Sequence, residues 1–147
     1  VAVVLNPYNS KGLFAILEEA VPVFNRRLVP PAYENIVYDL HLYYAFLPDF
    51  ARRLPLCFVV DNLVEIQSAV LDLTGRWALS GEWSLRLVPP GSPLGDEYAA
   101  LNQTEERALL QRFATNQIRG MTSSARMGGF YWTWRMSANN TVEGPGC

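Results

Sequence analysis

Apolar residues along this chain recur with two alternating periods. Val1 to Leu5, VAVVL, is a short continuous apolar run and predicts a buried strand. After the loop NPYNSKG, with Ser10 as a candidate helix cap, Leu13, Phe14, Leu17, Ala20, Val21 and Phe24 fall at helical spacing. Pro22 interrupts that pattern and predicts a kink or an end. In Asn35 to Tyr44, NIVYDLHLYY, the period changes to two. Ile36, Tyr38, Leu40, Leu42 and Tyr44 share an apolar face, whereas Val37, Asp39, His41 and Tyr43 share a face that carries polar chemistry. FLPDFARRLPLC reads as loop. From Asp61, a candidate cap, NLVEIQSAVLDLTG predicts a helix through Leu63, Ile66, Val70 and Leu73 that stops at Gly75.

A third strand follows in Trp77 to Leu85, WALSGEWSL, with Glu82 among apolar and small neighbours. PPGSPLGDEY reads as a polar loop. Thr104 predicts the cap of another helix, TEERALLQRFATNQIRGM, without a capping box because the residue three places on is Arg107. Gly128-Gly129 introduces a last strand, FYWTWRM, and SANNTVEGPGC is a loop. Strand, helix, strand, helix, strand, helix, strand predicts an α/β fold of parallel (β/α) units, four strands being half of a (β/α)8 barrel. No glycine-rich fingerprint follows the first strand, so a dinucleotide fold finds no support.

Composition narrows the function. The chain has 147 residues, 50% hydrophobic and 18% charged, the balance of a globular domain. Its formal net charge of −2, with no basic cluster larger than Arg26-Arg27 or Arg52-Arg53, argues against a nucleic-acid binder, which would normally show a basic face. No apolar run approaches the roughly 20 residues of a membrane span. One histidine and the absence of a Cys/His/carboxylate cluster argue against a metal site, and no cofactor is expected. Four Trp and seven Tyr suit a packed core and equally suit the C–H faces of sugars.

In α/β barrels, chemistry gathers at the C-terminal ends of strands. The second strand ends with His41 and Tyr43, the third with Glu82, the fourth with Trp132 and Trp134. Taken singly, each has a plain structural reading: a core histidine, an ion-paired glutamate, core tryptophans. Their joint placement at one rim favours a site.

Three motifs in this order, Asp39-Leu40-His41-Leu42-Tyr43, Gly81-Glu82-Trp83-Ser84 and Gly129-Phe130-Tyr131-Trp132-Thr133-Trp134-Arg135, resemble glycoside hydrolase family five, and most nearly its fungal and oomycete exo-1,3-β-glucanase branch. Tyr33-Glu34-Asn35-Ile36-Val37 fits the same branch, and the resemblance runs from about Pro31 to Arg135. It implies a secreted or cell-wall-associated retaining β-glycosidase acting on β-1,3-glucan, with residues 1–147 forming the second half of the barrel. In the implied roles, Glu82 is the nucleophile, and His41 and Tyr43 position the carboxylates and the sugar. Trp132 forms an apolar floor for the sugar, and Trp134 assists it.

The family's acid/base glutamate belongs to an Asn-Glu-Pro motif, and none occurs here. Glu18, Glu19 and Glu34 fall in helix or connection positions that suit the role poorly. General acid catalysis is worth about 10²–10⁴-fold, so the chain alone is expected to be nearly inactive. Its first and last strands would be open edges, which predicts a missing N-terminal half, self-association or marginal stability. Two further readings are a non-catalytic carbohydrate-binding or interaction remnant of such an enzyme, and an unrelated α/β domain. The two cysteines, Cys57 and Cys147, are either bridged, closing a loop of about 90 residues worth roughly 4 kcal/mol, or two thiols. The triplets Asn102-Gln103-Thr104 and Asn139-Asn140-Thr141 fit N-glycosylation acceptors of a secreted protein.

Overall fold

The computed structural model describes residues 3–5, 16–88, 90–122 and 126–132. Ser10, Trp134, Arg135, Cys147 and the Asn139 triplet lie outside these residues. Four strands, β1 (Val3–Leu5), β2 (Ile36–Asp39), β3 (Trp77–Trp83) and β4 (Arg126–Tyr131), form one sheet in the order β1-β2-β3-β4. Every neighbouring pair is parallel. The chain is therefore α/β, with a helical connection between successive strands.

A π-turn at Ile16–Ala20 leads into helix α1, Val21–Arg27. Pro22 does not end the helix. It sits in the first turn of α1, directly after the helical backbone changes from π-turn to α-helix. The second connection differs more from expectation. Its helical segment, α2, runs over 56–74, through α-helix Leu56–Phe58, π-turn Val59–Leu63, α-helix Val64–Ala69 and a 3-10 end Val70–Thr74. Asp61 is inside α2 and caps nothing. Leu56, Val59, Val60 and Val64 are all buried at helical spacing, and this apolar stripe outweighs the cap-like aspartate. Gly75 ends α2 with φ of +66°, the left-handed stop expected of it.

Two more helices fill the third connection. Helix α3, Pro93–Ala99, lies almost wholly within the stretch expected to be loop and runs one residue past it. Ser92 caps it by accepting from the Gly95 N–H at 3.2 Å, and Pro93 occupies its first turn. Helix α4 spans Gln103–Thr122, and its cap is Asn102 rather than Thr104. Asn102 Oδ1 accepts from the N–H groups of Thr104 and Glu105, both at 3.0 Å, while Glu105 Oε2 accepts from the Asn102 N–H at 3.0 Å. This is a reciprocal capping box, displaced two residues from where Thr104 suggested looking. Asn102→Ala is expected to destabilise the protein by about 1 kcal/mol, read as a shift in the urea midpoint at unchanged slope.

One face of the sheet packs on helices. Tyr38, Leu40, Leu42, Ala78 and Trp83 form a buried cluster with Val21 of α1, Val70 and Leu71 of α2 and Met121 of α4. A second cluster joins the helices beyond the strand ends: Tyr44, Leu56, Val59, Val60, Val64, Leu94 and Phe113. The opposite face of the sheet is different. Register puts Val4, Val37 and Trp77 in one row there; Val4 and Trp77 are more than half exposed, while Val37 between them is buried.

Below the strands, Arg76 braces the connection from α1 to β2. Its guanidinium donates to Asn25 Oδ1 at 2.8 Å, to the Tyr33 carbonyl at 3.0 Å and to the Leu28 carbonyl. Tyr38 Oη also donates to Asn25 Oδ1, at 3.0 Å, and Asn25 Nδ2 donates to the Thr74 carbonyl at 2.8 Å.

Candidate functional site

Beyond Asp39 the second strand leaves the ladder, and residues 40–43 continue it as an extended edge. Leu40 donates its N–H to the Leu79 carbonyl at 3.0 Å and Leu42 to the Glu82 carbonyl at 3.2 Å. A 3-10 turn, Tyr44–Phe46, then ends the segment, so the expected strand is shorter than ten residues. Leu40, Leu42 and Tyr44 enter the two cores. Alternation therefore delivers Asp39, His41 and Tyr43 to the open face, each partly exposed.

Glu82 reaches that face by a different route. Ala78 and Ser80 are buried on the helix side of β3, and a regular strand would send Glu82 after them. The register slips before that happens. Asp39 pairs with Leu79 and Leu42 with Trp83, so β3 uses four steps where its neighbour uses three. The β4 side records the same slip, with Ser80 opposite Gly129 and Trp83 opposite Tyr131. One extra residue in β3 is a β-bulge, and it re-aims the side chain that follows. Trp83 thereby returns to the core, and Glu82 turns to the open face. Ser80 Oγ donates to the Glu82 carbonyl at 2.9 Å and pins the irregular stretch.

Four side chains then meet in sequence. Tyr43 Oη donates to Glu82 Oε2. His41 Nδ1 lies 3.4 Å from the same Glu82 oxygen, and His41 Nε2 lies 3.5 Å from Asp39 Oδ2. Asp39 Oδ1 accepts from the Gly81 N–H at 2.7 Å. The His41 and Tyr43 rings meet edge to face with centroids 6.3 Å apart, and Tyr43 meets Phe46 in the same way at 5.9 Å. Glu82 is thus a carboxylate held between a phenol and an imidazole, with 30% of its side chain exposed.

The Tyr43 phenol is pushed well above its ordinary value of 10.0, by burial first, then by its hydrogen bond to Glu82 and the negative charge there. It remains a donor at neutral pH. The unfolded phenol loses its proton near 10, before the folded one does, so this bond's contribution to stability is complete below pH 10 and declines above it. The stability difference between wild type and Tyr43→Phe is expected to be constant from pH 7 to 9 and to shrink towards pH 11 in thermal melts. A constant difference across the whole range would remove the titration argument.

Trp132 follows β4 in a turn. Its N–H donates to the Trp83 carbonyl at 2.8 Å, which places Trp132 beside the residue after Glu82, with its side chain exposed. The strand leading to it begins earlier than the sequence suggested, at Arg126 rather than Phe130. Trp134 is outside the described residues. A cavity of about 280 Å³ between α4 and β4, lined by Trp83, Met121, Met127 and Phe130 among others, excludes the Glu82 cluster, which opens directly to solvent. Cys57 is exposed on α2, and its pairing with Cys147 falls outside the described residues. Among the described residues, no group of three His, Cys, Asp or Glu side chains is placed to hold a metal ion, and no helix is long and apolar enough to cross a membrane.

Sequence reasoning gathered His41, Tyr43 and Glu82, and the fold brings these three together. It passed over Asp39 as a site residue, although Asp39 lies on the same face as His41. It also treated Gly81 only as part of a motif. No known protein-family profile, curated protein or solved structure matches this chain.

Proposed function

We propose that the Glu82 cluster is the nucleophile side of a retaining β-glycosidase site, of the kind that cleaves β-1,3-glucan, on the second half of a (β/α)8 barrel. The observation that carries the reading is the contact of Glu82 Oε2 with both Tyr43 Oη and His41 Nδ1 at one rim. A nucleophilic carboxylate must stay ionised and aimed, and a phenol donor with an imidazole beside the same oxygen serves both. They leave the other oxygen to approach an anomeric carbon.

The fold supports the barrel part of the proposal. The four strands follow chain order with no reversal, whereas a doubly wound sheet reverses its order at a switch point. Parallel sheets are ordinarily covered on both faces. Here the face bearing Glu82 also exposes Val4 and Trp77, as the inner wall of an uncompleted barrel would. In that setting the exposed Trp132 side chain offers a flat apolar surface to a pyranose ring.

In the first step a Glu82 oxygen bonds to the sugar's C1 as the bond from C1 to the leaving oxygen breaks. A second carboxyl group about 5–5.5 Å away normally protonates that oxygen and later activates water. The sequence has no Asn-Glu-Pro, so the proposal assigns this chain the attacking half of the reaction only. Natural glucan oligosaccharides are therefore expected to be turned over at no more than trace rates.

An activated 2-deoxy-2-fluoro-β-glucosyl fluoride tests the nucleophile by itself. Fluoride leaves with its electron pair and needs no proton, while Glu82 Oε forms the ester to C1. Intact mass should show one added fluoroglucosyl group, mapped to the peptide containing Glu82 and absent from Glu82→Gln. Binding of laminari-oligosaccharides without any labelling would favour the non-catalytic carbohydrate-binding reading instead. Neither binding nor labelling would sink both.

A further inference from the structure

A bulge in a strand leaves a backbone N–H without its ladder partner, and in β3 the partner supplied is a side chain. Gly81 donates to Asp39 Oδ1 at 2.7 Å. The approach is so close that a Cβ on residue 81 would lie 2.1 Å from that oxygen, and 2.5 Å from both Cγ and Oδ2. Only glycine lets the carboxylate seat here. The same carboxylate presents Oδ2 to His41 Nε2 at 3.5 Å, and His41 presents its other nitrogen to Glu82 at 3.4 Å.

From this geometry we infer that Asp39 is a positioning residue for Glu82, acting through two routes that converge on one carboxylate. The first is short: Asp39 holds the Gly81 N–H by a hydrogen bond, and Gly81 is covalently joined to Glu82. The second runs through the imidazole, whose ring plane is set by an acid at each nitrogen. An aspartate is required because its two oxygens face different partners, one a backbone N–H and the other a ring nitrogen. With only 17% of its side chain exposed and both oxygens engaged, Asp39 is arranged to hold rather than to react. This inference names the group that aims the nucleophile of the proposed glycosidase site, and it rests on that reading only for its catalytic consequence.

The chain contains a single histidine, so its ring nitrogens give unambiguous 15N signals. The test compares wild type, Asp39→Asn and Asp39→Ala by NMR and by labelling with the fluoroglucosyl fluoride. In Asp39→Ala the Gly81 amide should exchange with solvent faster by about an order of magnitude, while the Leu40 and Leu42 amides of the same edge keep their protection. The ring 15N signals should shift and labelling should slow. Asp39→Asn retains an oxygen for Gly81, so it should restore that amide's protection, yet it should leave the ring signals displaced because the charge is gone.

Unchanged Gly81 exchange and unchanged ring signals in a folded Asp39→Ala would overturn the inference. If Asp39→Ala loses Leu40 and Leu42 protection as well, the isosteric Asp39→Asn decides: wild-type ring signals there overturn it. Absence of labelling in wild type would count against the glycosidase reading alone, because the amide and ring signals report positioning without any sugar.

Discussion

Phe113→Ala should lower the stability of this protein by about 4 kcal/mol. Phe113 is fully buried in the second core, among residues that include Leu56, Val59, Val60, Val64 and Leu94. Its ring meets Tyr44 edge to face with centroids 5.0 Å apart, and such pairs add to plain burial. Truncation would remove the link between α4, α2 and the turn that follows the site strand, leaving a void between elements too constrained to close over it. For a chain of this size the loss corresponds to a drop in melting temperature of roughly 8–16 °C. Ile118 lies on the same helix but is largely exposed, and Ile118→Ala should stay within about 0.5 kcal/mol of wild type. Urea unfolding of the two variants side by side checks both numbers, and equal losses would contradict the placement of the core.

The second large effect concerns the proposed labelling of Glu82 as well as stability. In Gly81→Ala the new methyl group lands on the Asp39 carboxylate, at 2.1 Å from Oδ1. Asp39 is short, and its carboxylate can only swing away, giving up the Gly81 N–H and the contact with His41. A charge-assisted hydrogen bond is worth about 1.5–3 kcal/mol, so a loss near 2 kcal/mol is expected. Labelling of Glu82 should fall about 100-fold, the scale on which a 1 Å misplacement acts. Combining Gly81→Ala with Asp39→Ala removes the collision, and the double variant should cost less than the two single losses together. Labelling at the wild-type rate in Gly81→Ala would mean that the bulge does not aim Glu82.

These two sites also mark what could be read from the amino acids. Period-two alternation was enough to put His41 and Tyr43 on one face opposite Leu40 and Leu42, because from Tyr38 to Tyr44 burial is one-sided and imposes that phase. The parallel order of strands followed from the helical stretches between them. The bulge in β3 was not legible. Nothing in WALSGEWSL says that Gly81 and Glu82 occupy one ladder position, since the partner that makes the slip favourable, Asp39, is 42 residues away. Helix boundaries failed for a local reason. Asp61 and Thr104 each have cap chemistry, but Leu56 and Asn102 start their helices earlier because a buried stripe and a reciprocal Asn102–Glu105 pair bind more strongly than a single polar residue suggests. Residues 93–99 looked polar enough for a loop, and only the Ser92-Pro93 start hinted otherwise.

The Arg76 brace lies at the entry to β3, and the Glu82 cluster lies at its exit. Support and the proposed site are thus separated by the length of a strand. Side chains around the exit can be exchanged one at a time by mutation, or by selection over generations, without loosening the anchor that holds Asn25, Leu28 and Tyr33 in place. A scaffold divided in this way tolerates changes at such a rim more readily than one whose anchor and rim share the same atoms.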